Sequence, residues 1–258
     1  MGDIGFGVCV GPSTRFEDVC APALARNCPD LPVLVRRQEH SLAGAYNRLI
    51  GEAVGLGWDG IVLIHDDVEI RDPELAPKLR HLFEEQSVGV VGVVGARAMK
   101  SIRWRRAQCF GRAPDPRSDN DFGGGTHEVD SVDGLFLAVS ASMFGRVEFD
   151  EKAFPGFHGY DADLCFSARQ AGFRVLVTDI DLFHHSRGTL VDPVSFRRAE
   201  LAFDRKWMTP RSGLRAWEWR LRYHSAGRPS QARRAMARIE RALTSWRTDS
   251  AKRGRPGP

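Results

Sequence analysis

The 258-residue chain is 42% hydrophobic and 27% charged, which is enough for one large α/β domain with a filled core, or for one domain and an appendage. No apolar run approaches the roughly 20 residues that a membrane-spanning helix requires, and Met1-Gly2-Asp3 opens neither a basic region nor a long apolar stretch, so no span and no signal peptide is expected. The net charge of +4 conceals a split: from Arg197 onward there are 17 Lys/Arg against 5 Asp/Glu, and residues 1–196 carry 20 against 28.

In chain order, residues 4–10 read as a buried strand stopped by Gly11-Pro12-Ser13. A helix is expected from Phe16 to about Ala25, and a second strand from Leu31 to Arg37. Ser41 is placed to N-cap the next helix. Leu42, Ala45, Leu49 and Ala53 fall near helical spacing there, and Gly55 and Gly57 end it. Residues 61–64 are wholly apolar, and the chemistry then changes abruptly at His65-Asp66-Asp67. A helix over Glu74 to Gln86 and a buried strand over Val88 to Gly95 follow. This alternation predicts an α/β fold with a parallel sheet covered on both faces.

From Lys100 to His127 the pattern dissolves into a polar, Gly- and Pro-containing stretch, read as a long irregular loop. Trp104, set among Arg103, Arg105 and Arg106, is a candidate lid. Strands are expected over Val132 to Val139 and over Phe173 to Thr178, the latter running on toward His184-His185. Between them lies a helix over Asp161 to Ala171, closed by Gly172. Residues 196–247 read as a basic, aromatic, helical extension and 248–258 as a frayed tail, leaving 1–195 as the main domain. The five scattered cysteines contain no Cys-x-x-Cys spacing and read as free thiols of a reducing cytoplasm.

Ligands of open α/β sheets bind beyond the carboxyl ends of the strands, where Asp66 and Asp67 fall. Adjacent carboxylates repel each other, and a hard divalent cation, Mg²⁺ or Mn²⁺, offsets that repulsion while leaving coordination positions for phosphate oxygens. The alternative is a solvated exit from the strand. Asp161 and Asp163 open a helix, where either one as an N-cap contributes ~1 kcal/mol. Asp119 and Asp121 read as loop residues, and Asp179 and Asp181 as one exposed face after a strand.

Three segments carry a resemblance. Residues 41–48 with 61–68 are similar to the helix, strand and DxD segment of family 2 glycosyltransferases. Phe149-Asp150-Glu151 and Phe157-His158-Gly159-Tyr160-Asp161-Ala162-Asp163 resemble that family's acceptor-side block, and His184-His185-Ser186-Arg187-Gly188-Thr189 its closing His motif. His65-Asp66-Asp67-Val68 and the Tyr160-containing block look most like the small branch related to a streptomycin-biosynthesis protein. The resemblance implies a GT-A fold, a nucleotide-diphosphate (NDP)-sugar donor, a divalent metal and inversion at the anomeric carbon. It implies Asp161 as catalytic base and Asp67 with His184 or His185 as metal ligands. Gly11, Pro12, Ser13, Asn47, Arg48, His65 and Asp66 fall on the donor side, and Asp133, Gly134, His158, Tyr160 and Asp163 on the acceptor side.

His65 and Tyr160 stand where the family at large has acidic residues, which keeps open a non-catalytic sugar-nucleotide or glycan binder. A nucleotidyltransferase fits less well, because Gly11-Pro12-Ser13-Thr14-Arg15 is a poor triphosphate loop. The acceptor implied is a glycan, a lipid-linked glycan or a small molecule. The basic extension suits peripheral contact with the inner membrane face better than nucleic acid.

Overall fold

A computed structural model describes residues 3–186 and 193–208. The sheet grows from the apolar runs. β1 (Ile4–Val10) pairs in parallel with β2 (Val33–Arg37) on one side and β3 (Gly60–His65) on the other. β5 (Val88–Gly92) pairs in parallel with β11 (Arg174–Val177). β10 (Phe136–Ser140) runs antiparallel between β3 and β5, and β8 (His127–Glu128) closes the far edge against β11. The order is β2-β1-β3-β10-β5-β11-β8, a mostly parallel sheet.

Alternation along the strands feeds two cores. Phe6, Val8, Val62, Ile64 and Phe136 pack with α1 (Ala21–Asn27) and α3 (Leu75–Phe83). Ile61, Leu63, Leu137 and Val139 face α2 (Leu42–Gly55) and α4 (Tyr160–Gln170). Helices therefore cover both faces. On the α2 face β1 carries Gly5 and Gly7, where an added Cβ would lie 2.2 Å from the Trp58 ring and 2.9 Å from Leu63. The missing side chains let that layer settle onto the strand. The predicted cap forms: Ser41 Oγ accepts from the Gly44 amide at 3.1 Å.

Two predicted strands are each divided. Residues 88–95 supply β5 and then β6 (Val94–Arg97), which belongs to a separate three-stranded sheet with β7 (Gln108–Gly111) and β9 (Ser131–Val132). Residues 132–139 likewise split into β9 and β10, with Asp133-Gly134-Leu135 between them. An apolar run shows burial but not the bend at which a strand changes sheets. The stretch expected to be irregular is organised by β7 and by Asn120, which is buried and donates to Ala113 O at 3.1 Å and to Asp115 Oδ2 at 3.0 Å.

α5 (Pro193–Phe203) and a π-helical turn (Asp204–Met208) belong to this unit, which ends at Met208. Phe203 is fully buried, and Glu200, also buried, receives Arg103 at 2.6 Å and Arg197 at 2.5 Å. The boundary expected at 195 thus falls inside packed structure. The basic extension and tail beyond 208 lie outside the described residues. All five cysteines are free. Among the described residues, no helix is long and apolar enough to cross a membrane.

Candidate active site

The end of β3 builds the site. Residues 61–64 are buried without exposure, and the first polar side chains emerge at His65-Asp66-Asp67. β4 (Val68–Ile70) then pairs antiparallel with β12 (Leu182–His184), setting Val68 opposite His184. This register carries His184 Nε2 to 3.1 Å from Asp67 Oδ1. His184 Nε2 is buried and has no hydrogen-bond partner among the described residues. Asp67 Oδ2 accepts from Arg15 Nη1 at 2.6 Å. His65, Asp67 and His184 can each offer one ligand atom, all within 4.8 Å of one another.

Burial alone would raise the pKa of Asp67. The close imidazole of His184, the field of His65 and the Arg15 guanidinium outweigh it and bring the carboxyl to about 2. Burial, then the neighbouring His184, lowers the pKa of His65. The His65 ring is held neutral, as a metal ligand must be. Its Nε2 lies 3.0 Å from Tyr160 Oη, which donates to Gly134 O at 3.3 Å.

A cleft of about 830 Å³ opens over this floor, lined by Gly11, Pro12, Ser13, His65, Asp66 and Asp67, with Arg37, Glu39 and Phe157 among its other walls. Asp66 Oδ2 accepts from the Gly11 amide at 2.7 Å, so the turn after β1 is tied to the end of β3.

Asp161 begins α4 beside this floor. Gly159, at φ 77°, turns the chain into the helix. Asp161 Oδ2 accepts from the Gly134 amide at 3.0 Å. Burial, and then the Asp133 carboxylate, push Asp161 up to about 7. Asp133 is itself held by Trp104 Nε1 at 3.0 Å and by the Leu135 amide at 3.1 Å. An added Cβ on Gly134 would lie 2.2 Å from Tyr160 Oη and 3.1 Å from Asp161 Cβ. Only glycine allows the sheet to approach α4 this closely.

The side chains of other expected site residues have partners within the protein. His185 turns to Glu69 Oε2 at 2.9 Å. Asn47 binds the backbone of Phe149 in both directions, at 3.0 and 2.9 Å, and pins the 149–151 turn. Arg48 pairs with Glu39. His158 packs edge-on to Phe196, with ring centroids 5.4 Å apart. Asp163 is fully buried and receives Trp207 Nε1 at 2.7 Å and Lys206 Nζ at 2.9 Å. It anchors the end of the domain. The pairing of Arg15 with Asp67, and the bond that ties Trp104, the candidate lid, to Asp133 on the acceptor side, are not visible in the sequence. Arg15 lies four residues beyond the Gly11 stop, and only the fold of that loop brings it to Asp67.

A family model described as "Glycosyltransferase like family" matches residues 31–190. The chain is 38% identical over 190 residues to the streptomycin biosynthesis protein StrF of Streptomyces griseus, covering 72% of this chain and 67% of that protein. Among solved structures, GalNAc-T7 with UDP, GalNAc and Mn²⁺ aligns with TM-score 0.50 at 11% identity, over 72% of this chain and 44% of that one. That likeness is one of fold. The mannosyltransferase PcManGT of Pyrobaculum calidifontis, in complex with GDP-Man and Mn²⁺, aligns with TM-score 0.49 at 14% identity, over 97% and 82%.

Proposed function

The chain belongs to this glycosyltransferase-like family, and from that premise we propose that its cleft transfers a sugar from a nucleotide diphosphate to an acceptor hydroxyl with inversion, assisted by a divalent cation. The observation that carries the reading is the buried His184 Nε2, which faces the Asp67 carboxylate without a hydrogen bond, with a neutral His65 beside them. A buried ring nitrogen left without a partner is costly. Coordination to a cation removes that cost, so the residues fit the group that the fold family implies. His65, Asp67 and His184 would hold it, and two imidazoles with one carboxylate favour Mn²⁺ over Mg²⁺. Bound there, the cation supplies Lewis-acid neutralisation of the charge that grows on the departing diphosphate.

The chain's own groups do the rest. The turn at Gly11-Pro12-Ser13 and the walls at Arg37 and Glu39 enclose the nucleotide. Asp161 accepts the proton of the acceptor hydroxyl while that oxygen bonds to the anomeric carbon and the bond to the diphosphate oxygen breaks. A carboxyl near 7 is half ionised at neutral pH, which suits a general base. The Gly134 amide fixes the orientation of the Asp161 carboxylate through Oδ2. The acceptor, a glycan, a lipid-linked glycan or a small molecule, enters on the side of Asp133 and Asp161.

The test is a panel of NDP-sugars screened for Mn²⁺-dependent thermal stabilisation, followed by turnover with each stabilising donor. A donor that stabilises only with Mn²⁺ and is then consumed supports the proposal. A donor that binds but is never hydrolysed or transferred supports the non-catalytic binder instead.

A further inference from the structure

Arg15 is the charged group at the site that the transfer reaction leaves without a task. Its Nη1 lies 2.6 Å from Asp67 Oδ2, while His184 Nε2 faces Oδ1 at 3.1 Å. One oxygen of the carboxylate is therefore held by a permanent cation, and the other faces a ring nitrogen that makes no hydrogen bond to it. The partners differ in exposure, since the Asp67 side chain is 9% exposed and that of Arg15 is 46%. The guanidinium reaches in from solvent. The backbone beneath it is fixed, because the Asp18 amide donates to Thr14 O at 2.9 Å and Thr14 Oγ1 donates to Asp18 Oδ2 at 2.6 Å. Withdrawal of Arg15 therefore needs only side-chain rotation.

A divalent cation held by His65, Asp67 and His184 would bear on the same carboxylate. Two cations on one largely buried carboxylate repel each other, and the screening that would relieve them is weak there. We propose that Arg15 is a displaceable counter-ion on Asp67: it neutralises the carboxylate in the free protein and has to release it for a divalent cation to load. Once released, its planar fork of donors suits the diphosphate oxygens of the arriving nucleotide, so that cation and donor load together. This rests on the metal-dependent reading above.

The test is titration of Mn²⁺ into the full chain without nucleotide, with free Mn²⁺ read by electron paramagnetic resonance, for wild type and for Arg15→Gln, Arg15→Ala, Arg37→Gln and Asp67→Asn. Arg37 lines the same cleft, but its guanidinium pairs with Glu17, so its loss changes the charge without freeing Asp67. Both Arg15 variants are expected to bind Mn²⁺ about tenfold more tightly than wild type, with Arg37→Gln within about twofold. Unchanged or weaker binding in the Arg15 variants overturns the counter-ion role and leaves the metal site standing. Equal tightening in Arg37→Gln does the same, since it shows a general field effect. If no variant binds Mn²⁺ and Asp67→Asn matches wild type, the metal site and the counter-ion role fall together.

Discussion

The Gly134 amide donates to Asp161 Oδ2 at 3.0 Å, joining the turn before β10 to the first turn of α4. The bond fixes the Asp161 carboxyl in surroundings that hold it near 7.

Replacing Asp161 by Asn is expected to lower turnover by roughly 10²–10⁴-fold while leaving donor binding intact. In the wild type kcat rises with pH through about 7, because the ionised form is the base. Stability moves the other way. A carboxyl raised in the folded state contributes most below its unfolded value of 3.8 and loses that contribution as pH climbs toward 7. The Asn variant should therefore gain melting temperature over wild type at about pH 8 and not at about pH 4. A pH–rate profile and thermal melts at both pH values check this, and a wild-type rate in the variant would remove Asp161 as base.

Gly134→Ala tests the close approach. The new methyl would stand 2.2 Å from Tyr160 Oη, so a loss of about 1–3 kcal/mol in stability is expected, together with loss of turnover. Adding Tyr160→Phe removes the clashing oxygen and should recover part of the stability. Chemical denaturation of the two single variants and the double variant measures the coupling.

His184→Ala and His185→Ala should differ sharply. The first removes a buried nitrogen facing Asp67 and is expected to abolish Mn²⁺ binding. The second breaks a partly exposed pair with Glu69, worth roughly 0–1 kcal/mol, and should leave Mn²⁺ affinity unchanged. Calorimetric titration of both variants decides between them, and equal losses would show that the register of β12 with β4 does not select the ligand.

That register marks the limit of what the sequence displays. The switch from residues 61–64 to His65-Asp66-Asp67 is local, and so is the placement of Asp161 at a helix start; both are legible as spacing. The choice between His184 and His185 depends on how residues 68–70 pair with residues 182–184, more than a hundred positions away. Asn47 and Arg48 sit on the helix as expected, yet their side chains turn to Phe149 and Glu39, which periodicity does not specify. The divided strands escaped for a related reason. Gly92 and Gly95 lie inside an apolar run, and an added Cβ there would stand 2.4 Å from Val132 and 2.3 Å from Ser131 O. The glycines mark where β9 crosses, a contact that appears only in three dimensions.

The end of the domain gives the last prediction. Asp163 has no exposure, and its partners Lys206 and Trp207 come from the final turn of the packed unit. A chain ending at Ser195 removes both, along with Phe203 and Glu200, leaving a buried carboxylate unpaired and a hydrophobic bed open. Breaking a buried pair by removing one partner costs about 3–5 kcal/mol, and loss of a buried Phe a similar amount, which is comparable with the whole stability of a domain. A chain ending at Met208 keeps all these contacts. The shorter chain should be insoluble or unfolded, while the longer one melts cooperatively. Expression of the two truncations with circular-dichroism melts tests this, and a folded chain ending at Ser195 would show that α5 is dispensable packing. Were Asp163→Asn to restore solubility to that shorter chain, the orphaned charge rather than the lost apolar contact would be the dominant cost.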